Sequence, residues 1–415
     1  MAFDTAEPPH SAQQREGEKT KIDRVRTFVV KIPYHDRFGG QTATPTLLAG
    51  GEYYFEAEWN EVYADRTQTL LIRIDTDDGL HGWGEAQAPI VPEAAQAVVD
   101  RLLAPMLIGA DPREVRSLRD RCYLSMNGRG HFTGFMVDAI AGCDIALWDI
   151  AARAAGVPLS TALGVRLRDR LPAYVSGVRA PTTDARAALT AALCQEGYQG
   201  VKLYLGRGVE ADLAEAEATR GQAGPGARLF ADVFWVYPFQ EAVRLGRGLE
   251  GLGIEWLESP LPPEDLDGHA RLAAELALAV AAGETLRTRF QFAEWLARGA
   301  LDVAQPDIAR CGVTEGERIA ALAADSGRPV ALHLGVSLGV AMGATWQVAA
   351  TLPNFFIQEH HPPMLELSNR FLTDPLQVER GSLLVPASPG IGVDVDLDAL
   401  APYVTSRGDL RRIGP

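Results

Sequence analysis

Cysteine is scarce in this chain of 415 residues: there are four, at Cys122, Cys143, Cys194 and Cys311, and no two form a CxxC pair. That spacing excludes a thiolate metal site and a disulfide framework, and fits reduced thiols of a cytoplasmic protein. No apolar run approaches the ~18 residues that would suggest a membrane span. The first stretch, MAFDTAEPPHSAQQREGEKTK, has no contiguous apolar segment and does not read as a signal peptide. Residues 1–20 are expected to be disordered. Basic residues are outnumbered, 39 Lys and Arg against 54 Asp and Glu, for a net charge of −15. No basic stripe is present, which argues against a nucleic-acid partner. An anionic substrate stays open, because a bound cation can reverse the local field.

What the chain has is a beat. Asp232, Glu258, Glu284, Asp307, His333 and Glu359 follow one another at gaps of 26, 26, 23, 26 and 26 residues. Five of them close short apolar runs (LFAD, EWLE, VAAGE, VAQPD, FFIQE), and His333 sits near the end of PVALHL. One strand, one helix and two loops take about that many residues in a (β/α)8 barrel of ~250 residues. Residues at the C-terminal ends of barrel strands face one mouth. Six distant residues are therefore expected to converge. Three of the carboxylates, Asp232, Glu258 and Glu284, suggest a hard divalent cation with oxygen ligands. Asp307 and His333, one strand apart, suggest an oriented general base.

The rest of the chain arranges itself around that beat. IDRVRTFVVKIPY (22–34) alternates as a strand, and residues 35–60 read as a loop rich in Gly, Thr and aromatics. TQTLLIRIDTDDGLHGWGEA reads as two strands turning at Asp77-Asp78-Gly79. A helical region runs from Pro92 to Leu163, with a stop at Gly156-Val157-Pro158. Eight β runs then alternate with helical stretches from Leu171 to about Glu359: PAYVSG, GVKLYL, RLFADV, IEWLES, ALAVAAG, LDVAQPD, PVALHL and FFIQE. The expected fold is α/β: an α+β domain over 21–165, a barrel over 166–364, and a segment over 365–415 (GSLLVPASPGIGVDV within it) returning to the first domain.

Long, correctly ordered stretches carry a resemblance. They include AIAGCDIALWDIAARAAGVPLSTALG, GVKLYLG, IEWLESPLPPEDLDGHARLA, QPDIARCGVTEGERIAALAADSGRPVALH, IQE and LLVPASPGIGV. From about residue 22 to 400 the chain resembles the enolase superfamily, within it the mandelate racemase subgroup. The resemblance implies a modified (β/α)7β TIM barrel under an α+β cap built from both chain ends. It implies abstraction of a proton α to a carboxylate, with Mg²⁺ stabilising an enediolate; this superfamily is a standard illustration of a Lys or His base working with magnesium. By position, Asp232, Glu258 and Glu284 resemble the Mg²⁺ ligands, His333 the base and Asp307 its orienting partner. Glu359 resembles the acid that hydrogen-bonds a substrate oxygen, and Lys202 the first lysine of a Lys-x-Lys motif. A homo-oligomer is also implied.

Two departures matter. The second lysine is replaced in Lys202-Leu203-Tyr204, and the position two after the first metal ligand is Phe234. An unperturbed tyrosine titrates near ~10 and is a poor base, but Tyr204 is read as a catalytic candidate that could act as an acid or hydrogen-bond donor. Proton exchange between two faces needs a base on each, whereas β-elimination of water needs one. The reading is a Mg²⁺-dependent dehydratase turning a sugar acid into a 2-keto-3-deoxy acid. An epimerase, racemase or cycloisomerase is the alternative, and a catalytically silent metal-binding protein the second. Ser176, at the end of the first barrel strand, and His35, Arg37 and Trp59, in cap loops, are read as substrate-binding. Tyr53, Tyr54, Arg129 and His131 are further loop candidates, and His360 and His361 read by default as solvated.

Overall fold

The computed structural model describes residues 20–33 and 46–413. His35 and Arg37, and the expected disordered start up to residue 19, lie outside the described residues. The chain opens with β1 (Ile22–Pro33), β2 (Tyr53–Glu56), β3 (Glu61–Ala64), β4 (Arg66–Thr76) and β5 (His81–Ala86). β4 and β5 pair antiparallel through the expected Asp-Gly turn, where Gly79 takes a φ of 90° open to glycine. The stretch read as a loop is not wholly one: β2 and β3 form an antiparallel hairpin in which Tyr54 faces Tyr63 and Phe55 faces Val62. Its short strands are set in Glu- and Gly-rich surroundings, so alternation over four residues is hard to see.

The helix Phe135–Ala154 packs across β5. The two approach without side chains between them. A Cβ on Gly84 would lie 1.8 Å from the Gly142 carbonyl oxygen, and one on Gly82 2.2 Å from that of Ala146. The helix stops as its sequence indicates: Gly156 is left-handed at φ 68°, and Val157 N donates to Ala152 O at 3.1 Å.

The barrel follows: β6 (Arg170–Ser176), β7 (Gly200–Tyr204), β8 (Leu229–Asp232), β9 (Trp256–Glu258), β10 (Ala279–Ala282), β11 (Val303–Ala304) and β12 (Gln358–His360). β6 to β11 pair in parallel and in order, and β12 closes the ring on β6. The expected strand PVALHL forms only isolated bridges, Ala304 to Val330, Val330 to Phe355 and Asp307 to His333. Prolines explain this: Pro306 and Pro329 flank the pairing and have no N–H to donate. Tyr174, Phe230, Trp256, Ala281, Val303, Ala331 and Ile357 fill the barrel interior as one buried cluster. Phe230 and Trp256 stack at 3.8 Å between centroids and form a floor beneath the mouth.

The last segment adds β13 (Val378–Glu379), β14 (Ser382–Leu384) and β15 (Val404–Arg411). The GSLL part of the tail does not go to the first domain as expected: β14 pairs antiparallel with the start of β6, on the barrel. Only β15 joins the cap sheet, whose order is β15-β1-β4-β5.

Candidate active site

Parallel strands deliver side chains to the C-terminal rim of the barrel. Lys202 and Tyr204 are two apart on β7 and so project to the same side. Tyr204 is in register with Asp232, and Asp232 with Glu258. Glu284 follows β10 after Gly283, and Asp307 is bridged to His333. The chain turns sharply at these ends. Phe234, Trp235 and Ser259 adopt φ values of 52°, 63° and 52°, an uncommon conformation for residues other than glycine.

The six beat residues do converge. The Lys202 ammonium lies 2.5 Å from Glu258, 2.8 Å from Glu359 and 3.3 Å from Asp232, in a place only 1% exposed. His333 has its Nδ1 2.6 Å from Asp307 and its Nε2 3.0 Å from Glu284. Trp235 Nε1 donates to Glu284 at 3.2 Å, while Trp256 Nε1 and Gln305 Nε2 donate to Glu258 at 3.1 and 2.7 Å. Above them opens a cavity of about 330 Å³. Lys202, Tyr204, Asp232, Glu284, His333 and Glu359 all line it. Glu258 lies beneath, under Lys202, and Asp307 stands behind His333.

Charge is unevenly balanced here. Lys202 and His333 directly contact five carboxylates, with Arg179, Arg310 and His361 further round the cavity wall. Burial pushes the carboxyls of Asp232 and Glu258 up, to about 6 and about 8, although Lys202 opposes the shift. Burial also works on Glu359, but Lys202 and His333 outweigh it and hold it down to about 2. Burial would lower His333; the Glu359 and Glu284 carboxylates and the bond to Asp307 raise it instead, to about 10. The oxygen-only set of Asp232, Glu258 and Glu284, on consecutive strands and short of positive charge, fits a hard divalent cation in its chemistry. Among the described residues, no three acidic, His or Cys side chains already converge on a point as ligands. Asp232 and Glu258 turn to Lys202, and Glu284 to His333, so a cation would take over charge that these partners now balance.

The other expected site residues lie at varied distances from the cavity. Ser176 does not line it; its hydroxyl is 3.3 Å from that of Tyr204. Trp59 is buried, donates to the Leu205 carbonyl at 3.1 Å and stacks on Phe234 at 4.5 Å between centroids. It borders a smaller adjoining cavity of about 130 Å³ instead of the main one. Tyr54 is buried against Tyr63, and the Tyr53 hydroxyl bonds Gln68 at 3.2 Å. Arg129 and His131 are exposed beside the helix Val115–Asn127 and do not line the cavity. His360 and His361 are not solvated: both are buried, and His361 lines the cavity with its Nε2 3.8 Å from Glu359. His360 alternates with Glu359 on β12 and is buried outside the ring, stacked on Tyr198 at 5.7 Å between centroids, whereas His361 follows the strand and turns to the mouth.

Several lining residues escaped the sequence reading: Glu61, Tyr63, Gln87, Arg179, Trp235 and Arg310. Most sit on the cap or between strand ends, where no periodic signal marks them. Only Trp235, beside the first metal-type ligand, could have been found from its place in ADVFWVY.

The comparisons agree with this architecture. Residues 62–164 match the mandelate racemase / muconate lactonizing enzyme N-terminal domain, and residues 184–399 the enolase C-terminal domain-like family. A D-galactarolactone cycloisomerase from Agrobacterium fabrum is 35% identical over 82% of this chain and 92% of its own length. An arabinonate dehydratase from Saccharolobus solfataricus is 32% identical over 79% of this chain and 88% of its own. A crystal structure of an enolase superfamily member from Agrobacterium tumefaciens superposes with a TM-score of 0.89, at 29% identity, covering 95% of this chain and all of that one. No helix among the described residues is long and apolar enough to cross a membrane. By sequence, by fold and by the order of its rim residues, the chain belongs to the mandelate racemase / muconate lactonizing enzyme family of the enolase superfamily.

Proposed function

We propose that this protein dehydrates a sugar acid to a 2-keto-3-deoxy acid. His333 takes the proton from the carbon α to the carboxylate onto Nε2. The electron pair moves into the carboxylate as an enediolate. It then returns to form the Cα–Cβ double bond, the bond from Cβ to its hydroxyl breaks, and that oxygen leaves as water with the proton His333 carries. The enol released becomes the keto acid. The observation that carries this reading is the His333–Asp307 pair: a buried carboxylate at 2.6 Å fixes Nδ1, and Nε2, now 3.0 Å from Glu284, would be released to the substrate once Glu284 turns to a cation. In this reading Lys202 holds the substrate carboxylate by charge, and Glu359 hydrogen-bonds it once it has taken up a proton. Mg²⁺, when bound by Asp232, Glu258 and Glu284, supplies positive charge beside the developing oxyanions.

Tyr204 favours one-base chemistry. Burial pushes its hydroxyl up to about 12, so it is a weak base near neutrality. A second reading draws on the 35% identity to a cycloisomerase acting on galactarolactone. Its first step is the same. If the oxygen on Cβ belongs to a ring, it leaves without being lost, and the product is an isomer. A panel of sugar acids and their lactones, incubated with protein and Mg²⁺ and read by mass and by 2-keto acid formation, separates the two. Loss of water supports dehydration, an isomeric keto acid supports ring opening, and His333→Asn should remove either signal. Deuterium exchange at Cα with neither product would instead support racemisation or epimerisation.

A further inference from the structure

Glu85 is a carboxylate of the cap with no part in the chemistry above. It lies on β5 at 0% exposure. One oxygen accepts from Thr69 Oγ1 at 2.8 Å and from Leu338 N at 2.6 Å; the other accepts from Ala341 N at 2.9 Å. Those two amides begin the helix Gly339–Ala349, which is buried along its whole length and has no capping side chain of its own. The cap thus closes a barrel helix from outside the barrel. Between His333 and that helix lie five residues, and they too are pinned by carboxylates. Leu334 N donates to Glu359 at 2.9 Å and Gly335 N to Asp307 at 3.4 Å.

Gln87, two residues along the same cap segment, presses on this loop. A Cβ on Gly335 would lie 1.8 Å from Gln87 Nε2. Gln87 N donates to Ala309 O at 3.0 Å, and its side-chain oxygen accepts from Arg310, which in turn donates to the Glu284 carbonyl at 2.8 Å. One end of one cap strand is therefore connected to three consecutive rim segments on the base side of the cavity.

We infer that Glu85 is a positioning residue: it holds the 334–341 loop in the one placement that aligns His333 with the substrate, so the cap sets the base as well as covering the mouth. The inference rests on the reading of His333 as base. Two facts favour alignment over mere stability. The carboxylate reaches the base loop by its backbone, and five residues of loop leave little slack to absorb a shift. A displacement of about 1 Å at a reacting group can cost about 100-fold in rate.

The test uses the full-length protein with Glu85→Ala, Glu85→Gln, the milder Thr69→Val, and Asp149→Asn as a matched control. Asp149 is another fully buried cap carboxylate, bonded to Trp83 N and Ile391 N away from the base loop. Glu85→Ala is expected to lower kcat about 100-fold with KM nearly unchanged. Glu85→Gln should fall between, since it keeps one acceptor, and Thr69→Val should lose least. Amide hydrogen exchange at Leu338 and Ala341 should speed up in the same order. Asp149→Asn should lower thermal stability and keep kcat. A folded Glu85→Ala with unaltered kcat, or equal kcat losses in Glu85→Ala and Asp149→Asn, overturns the inference. Should the wild type prove inactive on every acid, the proposed function fails, and the exchange experiment still decides: unchanged protection over 334–341 in Glu85→Gln overturns the positioning role.

Discussion

Lys202 shares its charge among Glu258, Glu359 and Asp232, so its removal has two consequences. Catalysis loses a cation, and the barrel keeps carboxylates buried without their partner. Lys202→Met is expected to abolish turnover and destabilise the protein by about 3–5 kcal/mol, visible in a denaturant midpoint. His333 is different because its two carboxylate partners keep other donors, Trp235 Nε1 for Glu284 and Ala309 N for Asp307, and asparagine can still hydrogen-bond them. His333→Asn should fold normally and lose about 10²–10⁴-fold in kcat, with substrate binding by calorimetry retained. Tyr204→Phe discriminates between chemistries. Its hydroxyl meets that of Ser176 at 3.3 Å and has no part in a one-base elimination, for which turnover within about tenfold of wild type is expected. A collapse of turnover would instead favour proton transfer on a second face. At this scale the sequence was informative where a residue ends a strand, as Asp232 and Glu258 do. It was silent for Gln87, which reaches the cavity because the cap docks there, and for Arg310, which sits on the short barrel helix Ile308–Cys311.

Elements hold together here by close approach and by carboxylates that cross between them. β5 meets the helix Phe135–Ala154 through glycines, and the GWG of that strand shows no more in sequence than a flexible patch. Gly84→Ala should destabilise by about 3 kcal/mol, measured by thermal unfolding, because the added carbon meets backbone that cannot rotate away. Asp394 ties the tail to β5. It accepts from Trp83 Nε1 at 2.7 Å and pairs with His81 at 2.9 Å. Burial pushes its carboxyl up, but the bond to His81 and the Arg153 charge outweigh burial and hold it well below the usual carboxylate range. A depressed carboxylate contributes stability above its unfolded pKa, near ~3.9, and loses it as pH falls further. Asp394→Asn should therefore cost about 1 kcal/mol at pH 7, kept small by partial exposure, and still much of that at pH 3, because the contribution disappears only as pH falls through the depressed folded value. Helices and most barrel strands were readable from period and turn signals. The seventh strand was overread, since an apolar run says nothing of the N–H groups that Pro306 and Pro329 withhold. The β2–β3 hairpin was missed because its partner residues are close neighbours in a short aromatic stretch that also suits a loop.

Across the whole molecule, the fold was legible because barrels repeat, and the beat of rim residues is that repeat seen edge-on. Substrate choice was not legible, since the cavity wall is completed by cap residues far away in sequence. The excess of carboxylates at the mouth also has a global reading. A divalent cation that binds only the folded state stabilises it, by about 2.7 kcal/mol at a concentration 100 times its dissociation constant. Added Mg²⁺ should therefore raise the melting temperature, and chelator should reverse the rise. Asp232→Asn and Glu258→Gln should blunt it, as read by differential scanning fluorimetry. The pairing of β15 with β1 bears on how the protein is made. Arg24 opposite Arg411 and Val30 opposite Val404 place β1, ahead of the barrel in sequence, against a strand that follows the whole barrel. The barrel segments emerge before that partner does, so during synthesis one edge of β1 waits open while the barrel is translated. The cap sheet is therefore completed only after the barrel: until β15 is in place, β1 keeps an open edge to which another strand could add.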